Sequence, residues 1–435
     1  MEELAELGHL LVFAFLFFFA TFMVGPVMTD VTMEALCPGR DECSLAIYLA
    51  GLQQVVTGLG ALVVTPVVGN LSDRYGRKAL LALPATASIV PLGILAYNRT
   101  KAYFYAYYIT KTLTAMVSEG SMQSLSLAYV ADRVPETRRA AAFGVFSGVC
   151  TAGFALGTVA TRFLPVSSTF QVSAVAAVAA AAYMRAFLQE TDGGASPCSS
   201  DEEAYRLLCL PSSSEEASPR LPPLRKAPSL SEMATLLSSS STFSRAAVVT
   251  FFHGLGETGL LTALLYFLKA KFHYSKNQYA NLLLITGITG SFSQLTVMPL
   301  LVPKLGEQKL LIIALIASCG HGFLYSIAWS FWVPYVAASF VILSFLVTPC
   351  IRSIVSKKVG PFEQGMAQGC ITGISSTANV ISPLIFAPLT AWFLSETAPF
   401  NFKGFSIVCS GFATLVALSI SINMRPAKVQ QLDRK

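Results

Sequence analysis

Gly69-Asn-Leu-Ser-Asp73-Arg74-Tyr-Gly76-Arg77-Lys78-Ala-Leu-Leu81 is the stretch that decides how the chain folds. About twenty nearly uncharged residues flank it on either side, and within it Asp73, Arg74, Arg77 and Lys78 crowd together. Apolar runs of that length span a bilayer, and Lys and Arg between them are held on the cytosolic side. The stretch therefore reads as a short hairpin loop between two membrane helices. Gly69 lets two helices approach closely and Gly76 permits a tight turn. Asp73 can accept bonds from neighbouring arginines or from a helix N-terminus.

Composition agrees. Of 435 residues, 54% are hydrophobic and 12% charged, where a soluble domain carries about 25% charged residues. Leu7 to Met28 matches the length of a bilayer span, and its N-terminal flank (Glu2, Glu3, Glu6) is acidic, unlike a cleavable signal peptide. The net charge of +6 is no nucleic-acid signal in a membrane chain, where the location of charge matters more than its sum. There is no phosphate-binding loop of the G-x-x-x-x-G-K-[ST] type and no metal-ligand cluster, so an enzyme, a pump, a metal or a bound cofactor is not expected. Cys37 and Cys43 form the close pair in a polar loop, open to a disulfide if that loop faces an oxidising compartment.

Twelve spans are expected, near 7–28, 45–70, 79–97, 102–130, 140–163, 167–187, 244–268, 277–299, 308–328, 331–355, 364–394 and 404–424. Placing both termini in the cytosol puts most of the 30 Lys and Arg on the cytosolic side. Residues 188–243, rich in Ser, Pro and Glu, lack the apolar area to fold alone and read as a largely disordered cytosolic linker. They separate a bundle at 1–187 from one at 244–424, and 425–435 form a cytosolic tail. The halves look like repeats. Gly144-x-x-x-Gly148 stands 225 residues before Gly369-x-x-x-Gly373, and Gly306 stands 230 after Gly76.

The ordered set G-x-L-S-D-R-x-G-R-K is similar to the loop between spans 2 and 3 of the major facilitator superfamily. Tyr129-Val-Ala-Asp132-Arg133-Val-Pro-Glu136-Thr-Arg138-Arg139, after span 4, narrows the resemblance. It points to the tetracycline-antiporter-like branch, and within it to the eukaryotic, particularly plant, hippocampus-abundant-transcript-like proteins. Gly365-Met-Ala-Gln-Gly369-Cys-Ile-Thr-Gly373, opening span 11, fits the same pattern. The resemblance implies an all-α fold of two pseudo-symmetric six-helix bundles that rock about a central site. It also implies a cytosolic latch of Gly69, Asp73, Arg74, Gly76 and Arg77, with Asp132, Glu136 and Arg138 as partners. Span 5 departs from the family's Gly-Pro and Gly-Gly pattern: Gly153 and Gly157 match, while Thr158, Thr161 and Arg162 do not.

Ionisable residues inside spans carry the chemistry. A charge at a helix centre costs roughly 2.5–3.5 kcal/mol on insertion scales, so such residues face water or a partner. They are Lys111 and Glu119 in span 4, His253 and Glu257 in span 7, and Arg352 in span 10. In the family, spans 1, 4, 7 and 10 line the cavity. His253 and Glu257, four apart on one helical face, form a candidate proton relay or a self-satisfied polar pair. Glu119 is a second proton or cation candidate. Lys111 and Glu119 stand about 12 Å apart along a helix and are not expected to pair. Lys111 snorkels or serves substrate, and Arg352 holds an anionic group or sits at the interface. His321, on span 9, reads as structural.

In the linker, Glu203 with Leu207 and Leu208 matches an acidic dileucine sorting signal, so sorting adaptors are candidate partners beside a small-molecule substrate and the bilayer. The chain reads as a monomer in the plasma membrane or a vacuolar or endolysosomal membrane. Its expected activity is secondary active transport of a small organic solute by alternating access, driven by a proton gradient. The alternative is a transporter-fold sensor or trafficking partner without net flux.

Overall fold

Backbone amides in hydrocarbon find no water, so an isolated apolar segment must close its hydrogen bonds internally as a helix. In the computed structural model every regular element among the described residues is helical. Those residues are 2–36, 38, 44–190, 235, 237, 240–274, 276–360, 363–394 and 398–424. Cys37, Cys43, Glu203, Leu207, Leu208 and the tail from 425 lie outside them.

In the first half, span 1 comprises Glu2–Met23 and Gly25–Leu36, span 2 Ser44–Tyr75, and span 3 Arg77–Ala87 and Ile89–Tyr97. Span 4 is Lys101–Ser118 and Ser121–Arg133, span 5 Glu136–Ala160 and span 6 Val166–Phe187. In the second, span 7 is Ser241–Phe272, and span 8 joins Lys276–Phe292 to Met298–Leu305 through a π-helical turn, Ser293–Val297. Span 9 is Glu307–Ser326, span 10 Val333–Ser344 and Val347–Ser356, span 11 Gln364–Leu394 and span 12 Phe405–Ile422. Among the described residues eleven stretches are long and apolar enough to cross a membrane; span 4, interrupted at Glu119-Gly120, is not one of them, and its two helices together match the length of its neighbours.

The halves repeat each other in detail. Gly76 and Gly306 both adopt positive φ, 97° and 76°, between the second and third spans of their halves. Spans 4 and 10 break at matching places, around Gly120 and around Phe345. Each half keeps its own apolar core, with Phe13, Tyr129, Phe143 and Phe146 in the first and Phe267, Tyr325 and Val333 in the second.

Two antiparallel seams join the halves, span 2 with span 11 and span 5 with span 8. Glycine makes both possible. A Cβ on Gly369 would fall 2.7 Å from Pro66 Cα, and one on Gly144 would fall 2.3 Å from Met298 Cγ. Gly153 and Gly157 serve inside the first half, where they meet the backbone of span 1 at Phe15 and Phe19.

The first residues of the expected linker are ordered. Leu188 is buried, the Tyr129 hydroxyl donates to Gln189 O at 3.0 Å, and Arg133 Nη2 donates to Glu190 O at 2.8 Å. The Glu190 carboxylate accepts from the Lys78 and Ala79 amides at 2.8 and 3.1 Å. A helix N-terminus leaves such amides without intrahelical partners and favours negative charge. Glu190 therefore caps span 3 from the end of span 6, and the chain is ordered through residues 188–190.

Candidate functional site

The loop after span 2 is a closed, dry cluster. Arg77 is fully buried. Its Nη2 lies 2.5 Å from Asp73 Oδ1, its Nε donates to Asp132 Oδ2 at 2.8 Å, and its Nη1 donates to Ser72 Oγ at 2.6 Å. Asp73 also reaches the other half, accepting the Gly365 and Met366 amides at 2.9 and 3.1 Å. Those amides open span 11, so its helix dipole points at the carboxylate. Gly69 sits against Gly365: a Cβ on Gly69 would stand 2.2 Å from the Gly365 carbonyl oxygen.

This corrects the expected latch in two places. The contact between halves runs through backbone amides of span 11, while Asp132 pairs with Arg77 inside the first half. Glu136 and Arg138 are exposed, and Arg139 crosses instead, its Nη1 donating to Ser356 O and Oγ at 3.2 and 3.1 Å. The Asp73–Arg77 pair is buried from water. The second half holds a matching pair with charges reversed, Lys357 Nζ 2.5 Å from Glu307 Oε1. It joins the start of span 9 to the end of span 10, as Arg77–Asp132 joins span 3 to span 4.

Between the halves lies a cavity of ≈ 350 Å³. The second half supplies its ionisable groups, His253, Glu257, His321 and Arg352, while the first contributes Gln123, Ser147, Cys150 and Thr151. Glu257 Oε1 accepts from Ser318 Oγ at 2.6 Å and Ser344 Oγ at 3.1 Å. The His253 and His321 rings flank this carboxylate on spans 7 and 9, and the Nδ1 atom of each is buried without a hydrogen-bond partner. Gln294, displayed by the π-turn of span 8, ties both halves together at this level. It accepts from Thr151 Oγ1 at 3.0 Å and donates to Phe345 O at 3.1 Å.

Five expectations change here. The hydrogen bonds of Glu257 go to serines of spans 9 and 10 and not to His253. His321, read as structural, lines the cavity because span 9 packs closely on span 10. Among the described residues span 1 lines none of the cavity, and neither Glu119 nor Lys111 does. Glu119 is 55% exposed at its side chain, and it pairs with Lys111 at 3.4 Å. That pairing follows from the break in span 4: Glu119 is extended (φ −69°, ψ 120°) before Gly120 at φ 87°, so the carboxylate is released from the helix and two long side chains close the gap. Gln53 fastens span 2 to span 4, donating to Thr112 Oγ1 at 3.2 Å.

Sequence reasoning missed Ser318, Ser344, Gln294 and Arg139. Gln294 had a signal, an amide within the apolar part of span 8, while Ser318 and Ser344 had none, since serine is common in membrane helices.

Helical spans in two like halves, enclosing a polar cavity and sealed at one end by a carboxylate on a helix N-terminus, make the architecture of a membrane transporter. The Major Facilitator Superfamily profile matches residues 10–383, and the chain belongs to that family. It is 24% identical to human hippocampus abundant transcript 1 protein over 392 residues, covering 87% of this chain and 72% of that protein. It is equally 24% identical to the class E tetracycline resistance protein of Escherichia coli over 374 residues, 85% of this chain and 84% of that one. Among solved structures, the human organic anion transporter MFSD10 (TETRAN) superimposes with a TM-score of 0.75 at 18% identity, covering 97% of this chain and 100% of that chain. The proton:xylose symporter XylE gives 0.71 at 15% identity, covering 97% and 96%.

Proposed function

We propose that this multi-pass membrane protein is a proton-coupled secondary transporter of a small organic solute, and that Glu257 is the coupling group. The observation that carries this reading is the Glu257 carboxylate, held between two serines and two histidines inside a cavity walled by both halves. A carboxylate so placed accepts a proton only when water reaches the cavity, and its neighbours on spans 9 and 10 feel the change in charge at once. Ser318 and Ser344 donate to the ionised form. Protonation at Oε2 leaves Oε1 a neutral and weaker acceptor for both, which loosens span 7 from its two neighbours.

The latch closes one end of the pathway and, by the distribution of Lys and Arg, that end is cytosolic. Breaking the Asp73 bonds to span 11 would let spans 2 and 11 separate, the rigid-body rocking by which a fixed site faces each side in turn. Relatives named for tetracycline resistance and for proton:xylose symport support solute transport as the class without specifying this chain's substrate.

The test is accumulation in proteoliposomes under an imposed pH gradient, using a metabolite panel to find a transported solute. Glu257→Gln should abolish gradient-driven accumulation while leaving solute exchange at equal pH measurable. Undiminished accumulation in that variant would rule out Glu257 as the coupling group. A sensor without flux would bind solute and accumulate none in either protein.

A further inference from the structure

Among the described residues two arginines are buried, and the fold treats them differently. Arg77 is fully buried between the carboxylates of Asp73 and Asp132. Arg352 is 3% exposed and lines the cavity. Its Nη1 donates to Gln368 Oε1 at 3.2 Å and its Nη2 to Thr372 Oγ1 at 3.0 Å, both neutral acceptors. Its Nε is buried without an acceptor. Among the described residues no carboxylate lies within ion-pair distance of it. Glu257 lines the same cavity but makes no ion pair with Arg352, and its Oε1 is held by Ser318 and Ser344.

A guanidinium stays protonated in proteins, and a buried charge without a counter-ion is strongly unfavourable. Among the described residues nothing supplies the matching charge, which leaves that role to a bound group. Nη1 and Nη2 each donate once and each keep a second N–H, a pair that suits a planar acceptor with two oxygens, the geometry in which guanidinium binds carboxylate. Leu260, Leu261, Leu264, Leu282 and Leu283 give the same cavity an apolar wall.

We propose that Arg352 binds the carboxylate of an amphiphilic organic anion, whose apolar body lies along the leucines of spans 7 and 8. The proposal rests on reading the cavity as the transport site. It assigns the anionic end of the solute to Arg352 and leaves Glu257 to the proton.

Thermal unfolding of the purified full-length protein tests it with three probes of one shape: 3-phenylpropionate, 3-phenylpropionamide and 3-phenylpropylamine. The carboxylate should raise the wild-type Tm by several degrees at about 10 mM, and the amide and amine should not. Arg352→Gln should weaken the carboxylate effect at least tenfold, and Arg352→Lys should keep part of it. Gln368→Glu needs no loss of structure: it places a tethered carboxylate beside Nη1, and should raise the ligand-free Tm while removing the response to 3-phenylpropionate. Equal response to carboxylate and amide, no response in the wild type, or an unchanged response in Gln368→Glu would each overturn the proposal. The two readings fail separately. Carboxylate binding at Arg352 without pH-driven flux would sink coupled transport alone, and flux with binding indifferent to Arg352 would sink this assignment alone.

Discussion

Replacing Asp73 with Asn should open the latch without unfolding the protein. Asp73 accepts two span 11 amides, at 2.9 and 3.1 Å, and pairs with Arg77 at 2.5 Å. Hydrogen bonds to a charged group are worth about 1.5–3 kcal/mol each. An asparagine oxygen can still accept one amide as a neutral group, so the expected loss from the closed state is about 2–3 kcal/mol. That moves the closed-to-open ratio about 30–150-fold, so that a ratio near 99:1 would fall to between roughly 3:1 and 2:3. Arg77 keeps Asp132 at 2.8 Å, which is why the fold should survive. Spin labels at Tyr75 and Glu363, both exposed beside the seam, would report the separation in liposomes with other cysteines replaced. Wild type should give mainly the short distance, and Asp73→Asn a substantial long-distance population. Unchanged populations in a correctly folded variant would refute the assignment of Asp73 as a latch.

Gly365→Ala should act in the same direction by steric means, because its Cβ would lie 2.3 Å from the Gly69 carbonyl oxygen; the same labels should show a larger long-distance fraction. Arg77→Ala should be far more damaging than Asp73→Asn. Removing one partner of a buried ion pair costs about 3–5 kcal/mol, and here two carboxylates lose their cation, so folded yield in size-exclusion chromatography should collapse. Glu190→Gln should lower the Tm modestly, by weakening the cap on span 3, and leave gradient-driven accumulation near wild type.

The fold was legible because a membrane imposes few choices. Span lengths, the loop Gly76 and its counterpart Gly306 follow from apolar runs and turn chemistry, and they appear where hydropathy and spacing put them. Single residues fared according to how local their determinants were. Glu257 and Arg352 could be found as charges in hydrocarbon, which the bilayer penalises wherever they point. Glu119 met the same rule and yet lies off the cavity, because a break at Gly120 turned its side chain and no spacing rule registers a positive φ. Asp73 was identifiable as a bond acceptor, but its partners are amides of residues 365 and 366, nearly three hundred positions away, and backbone amides carry no sequence signature. His321 was set aside because span 9 was assigned to the periphery, and tertiary packing decided otherwise.

Alternating access around one cavity is the claim on which latch, coupling group and anion site all depend. A cysteine placed at Ser375, on the cavity wall, can be challenged in sealed proteoliposomes with a membrane-impermeant maleimide from either face. The same population should react slowly from the latch face and faster from the opposite one, and Asp73→Asn should reverse that order. Reaction from one face alone in both proteins, whatever the pH gradient, would contradict the account.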